Sequence, residues 1–411
     1  MKFSPGALAP AVLSILALLT THAPAQPAMA PEQDPGERLR TAVVAGALGK
    51  ANAQIVPAAV VIEVNGADTP GSSSLQLIEA GKPVRLKARF ASQEAAKTST
   101  PATAYHSKIG LLRQTNQSEI LWETGEDDTL TPAADGAMQW ESAVKDGQAT
   151  LVSVRLARLE SIRGGDELAN PDEPVEASIF SGRASVLLLP AVPFDRAGDG
   201  MLFGYNVGVY PNEASDRAAS SVKDRKELYA PPQFFYRLDQ YTRNANVASY
   251  FTLGMLNPAA LAGPAQDVRY VALSPRLIAF LDAYAKKLTK AGLDPAQLVV
   301  LRGFTSPTER LRLERSGEPM AEFSRFQYGD AVAFIHRGKK PAGSDAKMGD
   351  VDGDGAVTTK DADKLGELAK QTMDDLQTFG AIGVGAKFSK ANPTPYTHVD
   401  LRGWYTAFRE E

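Results

Sequence analysis

Residues 83–90 alternate strictly, with Val84, Leu86, Ala88 and Phe90 on one side and Arg85, Lys87 and Arg89 on the other. Successive side chains of an extended strand point to opposite faces, so this pattern is that of a strand with one face buried. Further strand candidates follow at residues 109–112, 119–123, 137–140, 150–156 and 177–189, separated by clusters of Gly, Asp and Asn. Short strands at such spacing predict an antiparallel, immunoglobulin-like β-sandwich over residues 52–190. The basic faces of these strands are read as solvated outer faces.

A sandwich of this size accounts for only part of a chain of 411 residues, which leaves room for more than one core. A formal net charge of −4, without a basic stripe, argues against a nucleic-acid surface. The amino terminus has Lys2, an apolar run over residues 11–19 and a small-x-small site at Ala23-Pro24-Ala25, which predicts a secretory signal cleaved near Ala25. No later run approaches the length of a membrane span, so the mature chain is expected to be exported, periplasmic or extracellular, without a transmembrane segment. The chain has no cysteine and hence no disulfide framework, so its cores or bound metal must hold it together. Residues 26–51, with Pro27, Pro31 and Pro35, read as a linker with room for one short helix.

After the sandwich, residues 190–250 are aromatic and turn-rich, as expected of an extended connector packed on a domain surface. A helix is signalled by Ser274 as N-cap, Pro275 at the first position, a stripe of Leu277, Phe280, Leu281, Tyr284 and Leu288, and Gly292 as the stop. It leads into an apolar strand, Leu298-Val299-Val300-Leu301. Helix, strand and glycine-rich turns in that order predict an α+β domain over residues 191–411.

Three segments of this half stand out: Arg302-Gly303-Phe304-Thr305-Ser306-Pro307, then Ser324-Arg325-Phe326-Gln327-Tyr328-Gly329-Asp330-Ala331-Val332-Ala333, then Thr397-His398-Val399-Asp400. Their order resembles the zinc D-alanyl-D-alanine carboxypeptidases of the hedgehog/D-Ala-D-Ala peptidase superfamily, which cut the terminal D-alanine from bacterial cell-wall stem peptides. That family pattern is a Ser-Gly-Tyr-Arg-(Thr/Ser)-Pro turn, then Ser-x-His-x-x-Gly-x-Ala-x-Asp, then a His-Val-Asp-like strand. The resemblance implies one zinc held by two histidines and an aspartate, with a fourth position open for water. Matching Tyr328, Gly329 and Ala331 puts Phe326 where the first histidine belongs and Ala333 where the aspartate belongs, so of the three ligands His398 alone is retained. A phenyl ring and a methyl group offer zinc no lone pair. The family's acid or histidine just before its last ligand is Pro395 or Tyr396 here, and its turn arginine is Thr305, with Arg302 three residues earlier. His398, Asp400 and Arg302 are therefore remnant candidates, and zinc is not expected.

A second metal motif is complete. Asp350, Asp352, Asp354, Ala356, Thr358 and Asp361 occupy positions 1, 3, 5, 7, 9 and 12 of an EF-hand-type loop, with Gly355 at position 6. Closely spaced carboxylates repel unless a cation sits among them, so the spacing predicts calcium in an insertion at about residues 345–376.

The leading expectation is an exported, calcium-stapled, zinc-less relative of the carboxypeptidases that binds a peptidoglycan stem peptide or a protein partner and does not cut it. One alternative is an active zinc D,D-carboxypeptidase with another ligand set, such as His336 with His398. A second is a calcium-stabilised structural or assembly module.

Overall fold

The computed structural model describes residues 34–46, 51–69, 74–79, 82–91, 118–124, 128–133, 137–142, 146–163, 175–194, 199–211, 224–261, 267–318, 320–338, 347–390, 393–404 and 406–410. The expected signal segment, the strand expected at 109–112 and His106 lie outside these residues.

The alternating stretch forms a strand at Val84–Phe90, with Val84, Leu86 and Phe90 buried and the three basic residues exposed. The strands of the first half are β1 (Ala51–Pro57), β2 (Val60–Val64), β3 (Ala67–Asp68), β4 (Ser74–Ile78), β5 (Val84–Phe90), β6 (Ser118–Glu123), β7 (Thr129–Pro132), β8 (Met138–Glu141), β9 (Thr150–Arg163) and β10 (Val175–Pro190). One sheet runs β3-β2-β5-β8-β7; the other contains β4-β10-β9-β6, with β1 also on β10. Ile62, Val64, Val84, Leu86 and Trp140 from the first meet Ile78, Val152, Val154, Val186 and Leu188 from the second, a dry layer of the kind that holds two sheets face to face.

The expectation of a wholly antiparallel sandwich needs correction. Both β1 and β4 run parallel to β10, each along a different part of it. The reason lies in the connections, because the chain passes from β1 into the opposite sheet before returning as β4, and strands joined across a sandwich need not alternate in direction. Gly182 marks the break between the two pairings on β10, where any β-carbon would overlap the carbonyl oxygen of Ala58. The segment expected as a linker contains helix α1 (Pro35–Gly46), whose Leu39 is buried with Ala157 and Ile179.

The second half continues the first. Two short strands, Asn246–Ala248 and Phe251–Thr252, extend the larger sheet beyond β4. A single core runs from Leu75 and Leu189 through Phe235 and Tyr270 to Phe304, Val332 and Leu365, and residues from Pro35 to Glu411 form one compact unit. Within it lies a five-stranded sheet in the order β11 (Leu298–Arg302), β12 (Ala331–His336), β14 (Tyr396–Asp400), β13 (Ala381–Gly385), β15 (Thr406–Glu410). The longer helices of this half are α2 (Pro275–Lys290), α3 (Pro307–Arg315) and α4 (Thr359–Asp375). Ser274 caps α2 by accepting from the Arg276 amide, and Gly292 follows it with a left-handed φ of 76°. Helices α2 and α4 cover one face of the sheet: the Tyr284 hydroxyl donates to Leu365 O at 3.1 Å, and Thr397 Oγ1 to Ala362 O at 2.8 Å. The other face carries the cleft.

Candidate functional site

The cleft is built on a single row of residues across the sheet. Arg302 lies opposite Ala333, Ala333 opposite His398, His398 opposite Gly383, and Gly383 opposite Phe408. Arg302 joins this row because the register shifts between Val300 and Arg302; the bulge turns Arg302 onto the face away from the helices. The two small members, Ala333 and Gly383, leave space that aromatic rings occupy. A β-carbon on Gly383 would overlap the Phe408 ring, and one on Gly385 the Tyr396 ring. Phe326 closes the row from above, its ring edge-on to His398 with 5.0 Å between centroids and 89° between planes. The cleft has a volume of about 530 Å³, and Arg302, Arg325 and Arg402 all line it.

Phe326 is delivered by the turn Arg325–Tyr328, which ends at Gly329 with φ 71°. A side chain there would meet the carbonyl oxygen of Ala272, so both the dihedral and the close approach call for glycine. Arg325 locks this turn, pairing through Nε and Nη2 with the two oxygens of buried Asp330 and lying against the rings of Tyr229 and Tyr328. Burial raises the Asp330 carboxyl above its ordinary value, and Arg325 works against that rise.

Strand alternation puts Tyr396, His398 and Asp400 on the cleft side. His398 Nε2 donates to Asp400 Oδ2 at 3.1 Å, and Arg402 Nε donates to Asp400 Oδ1 at 2.6 Å, with Arg402 Nη2 on the other oxygen. Asp400 is fully buried. Burial alone would raise its carboxyl, but the hydrogen bonds and charges of His398 and Arg402 outweigh that and hold it at about 2. Arg402 in turn stacks on Trp404, which Arg225 covers at 4.0 Å from the ring centroid.

These residues do not fit a zinc ion. Where the resemblance places two of three ligands, the structure has a phenyl ring and a methyl group, and the ring packs directly on the retained histidine. His336 supplies no replacement. Its Nε2 donates to Asp294 O at 3.0 Å, its Nδ1 accepts from the Gly338 amide at 2.9 Å, and burial lowers its pKa. That is a neutral histidine with both nitrogens committed away from the cleft. Thr305 is buried and donates to Gly303 O, whereas Arg302 reaches the cleft, 5.8 Å from the Phe326 centroid and 4.9 Å from that of Phe388.

In the aspartate loop, Asp350, Asp352 and Asp361 bring carboxylate oxygens within 4.8 Å of one another. Gly353 and Gly355 both have left-handed φ, at 86° and 88°. Asp350 accepts from the amides of Gly353 and Gly355, and Asp354 from Ala356. Asp361 is buried and also completes a capping box with Thr358 at the start of α4. The loop's geometry is thus compatible with a cation, and Asp361 has a second, purely structural role in capping the helix.

One solved structure is similar, the L-Ala D-Glu endopeptidase ChiX of Serratia marcescens, at 15% identity over 32% of this chain and 80% of that one, with a TM-score of 0.22. No family model and no curated protein matches the chain.

Several cleft residues escape a reading of the motifs alone. Arg402 lies two residues beyond Asp400, so strand alternation was a usable signal for it. The bare Gly383 and Gly385, two apart on one strand, likewise signal rings lying over them. Phe388 and Phe408 come from segments with no motif, and their place depends on loop paths that local pattern does not encode.

Proposed function

We propose that this chain is an exported, non-catalytic relative of the D-alanyl-D-alanine carboxypeptidases that binds a peptidoglycan stem peptide in the cleft between Phe326, His398 and Arg302. One observation carries the reading: Phe326 and Ala333, of one turn-and-strand segment, converge with His398 of a strand far along the chain on one point of the sheet, where two of the three side chains cannot ligate a metal. The scaffold that would bring three ligands together is retained while the ligands are replaced, and His398 serves Asp400 and the Phe326 ring instead. The cleft remains open and mixes aromatic walls with guanidinium groups, surfaces suited to a short extended peptide.

The test is metal analysis of the purified full-length protein beside an assay on a stem peptide ending in D-Ala-D-Ala. Binding without zinc and without released D-alanine is expected. Stoichiometric zinc with D-alanine release, both abolished in His398→Ala, would overturn the proposal in favour of an active peptidase. A separate proposal concerns the aspartate loop, which we assign to calcium through Asp350, Asp352, Asp354, Thr358, Asp361 and the carbonyl of Ala356; the convergence of Asp350, Asp352 and Asp361 supports it.

A further inference from the structure

Asp400 decides which nitrogen of His398 carries a proton. It is fully buried, and Arg402 donates to both of its oxygens, through Nε to Oδ1 and through Nη2 to Oδ2. A guanidinium keeps its charge, so the group paired with it at two points is a carboxylate, which can only accept hydrogen bonds. His398 Nε2 lies 3.1 Å from Oδ2, and the proton between them therefore belongs to Nε2. The other tautomer would set a lone pair against a buried carboxylate. In the neutral ring Nδ1 is thus a bare acceptor.

No described residue uses that acceptor. His398 makes no hydrogen bond apart from the one to Asp400, and its side chain, 10% exposed, lines the cleft. Phe326 and Phe408 pack against the imidazole with 5.0 and 5.3 Å between ring centroids, and neither has a donor to offer. The residues opposite His398 on the neighbouring strands are Ala333 and Gly383, which have no polar side-chain atom either. An acceptor walled by carbon gains more from a donor than one that water already serves. With Nε2 committed to Asp400, Nδ1 is also the one atom through which this histidine could have held a metal.

We infer that His398 Nδ1 accepts a hydrogen bond from a peptide-bond N–H of the bound stem peptide, so that the histidine orients the ligand through the lone pair a metal would otherwise take. A peptide N–H suits the place because it brings a donor without a charge to desolvate among the rings. Arg402 and Asp400 then act as positioning residues, since they fix the tautomer that leaves Nδ1 bare. The inference rests on the reading of the cleft as a peptide groove and adds to it the atom that reads the ligand's backbone.

Two measurements on the full-length protein test it. Nitrogen-15 NMR of the His398 ring, assigned by its loss in His398→Gln, should show a protonated Nε2 and a bare Nδ1, and the Nδ1 resonance should shift when a stem peptide ending in D-Ala-D-Ala is added. Isothermal titration with that peptide and with analogues N-methylated at one peptide bond at a time should find one position where methylation weakens binding about three- to tenfold more than it does in His398→Gln. That variant keeps a donor near Asp400 and has nothing at Nδ1, so it should bind the unmethylated peptide about three- to tenfold more weakly than the parent protein does, with a melting curve confirming that it is folded. A proton on Nδ1 in the free protein, an Nδ1 resonance unmoved by a peptide that binds, or methylation costs equal in both proteins at every position would each overturn the acceptor role, while the peptide groove itself stands. Should His398→Gln not fold, the ring resonances of the unaltered protein decide alone, with His398→Asn used to assign them. Absence of peptide binding by the unaltered protein would instead sink the groove reading, and this inference with it.

Discussion

Asp400 is the most heavily committed carboxylate of the cleft, and its environment makes a prediction with a definite sign. Its carboxyl sits near 2 in the folded chain, against about 3.9 for an unperturbed aspartate. A depressed folded value contributes stability above about pH 4 and loses it as pH falls towards 2, a total of roughly 2–3 kcal/mol. Asp330 acts in the opposite sense, since burial raises its carboxyl and favours the folded state as acid is added. Asp400→Asn is therefore expected to lower stability by roughly 2–3 kcal/mol at pH 7 and to converge on the parent near pH 2. Urea unfolding at a series of pH values measures this; curves that stay parallel down to pH 2.5 would rule it out. A second expectation at this scale concerns the positions where the proposed relationship places metal ligands. Ala333 lies directly opposite His398 and the Phe326 ring touches the histidine, so Phe326→His combined with Ala333→Asp should take up about one zinc per chain, each single variant far less. Elemental analysis after dialysis decides it, and a double variant that stays free of zinc would show that the backbone no longer presents these positions to a common point.

Elements differ in how far the sequence reveals them, and the difference is one of range. The strand at Val84–Phe90 and the helix at Pro275–Lys290 are written in local periodicity and caps, which a segment carries wherever it is placed. The parallel pairings of β10 and the bulge that exposes Arg302 arise from crossovers and register, which no window of residues contains. The convergence of Phe326, Ala333 and His398 was legible because one motif spans the turn and β12, and antiparallel register then fixes its partner on β14. Helix α1 was read only as room for one short helix in a linker, and of its described side chains Leu39 joins a core. Leu39→Ala is nonetheless expected to cost about 2–4 kcal/mol, because Leu39 fills space between the helix and the strands carrying Ala157 and Ile179. A loss below about 0.5 kcal/mol in equilibrium unfolding would mean that α1 only rests on the sheet.

At the scale of the whole molecule, the core beneath the cleft-bearing sheet reaches Leu75 and Leu189 of the sandwich, whose own inter-sheet layer is a separate cluster, so a change that loosens that core should be felt where the two halves meet. The aspartate loop offers a way to see this, because it leads straight into α4, whose Ala362, Leu365, Ala369 and Met373 belong to that core. Among its acids, Asp361 has two duties: its oxygens accept from the Val351 and Thr358 amides, and it caps α4. If a calcium ion joins these carboxylates, its binding free energy adds to folding, by about 2.7 kcal/mol at a hundredfold excess over the dissociation constant. Chelation should then lower the melting temperature of the whole cooperative unit, calcium should restore it, and Asp350→Asn with Asp352→Asn should remove the response while leaving the capping box intact. Scanning calorimetry with chelator and with calcium distinguishes this from a turn held by hydrogen bonds alone, in which chelator shifts nothing and Asp361→Ala still destabilises α4 through the lost cap. A shift confined to a minor transition, with the main one unmoved, would place the ion outside the fold's cooperative core and argue against its role as a staple.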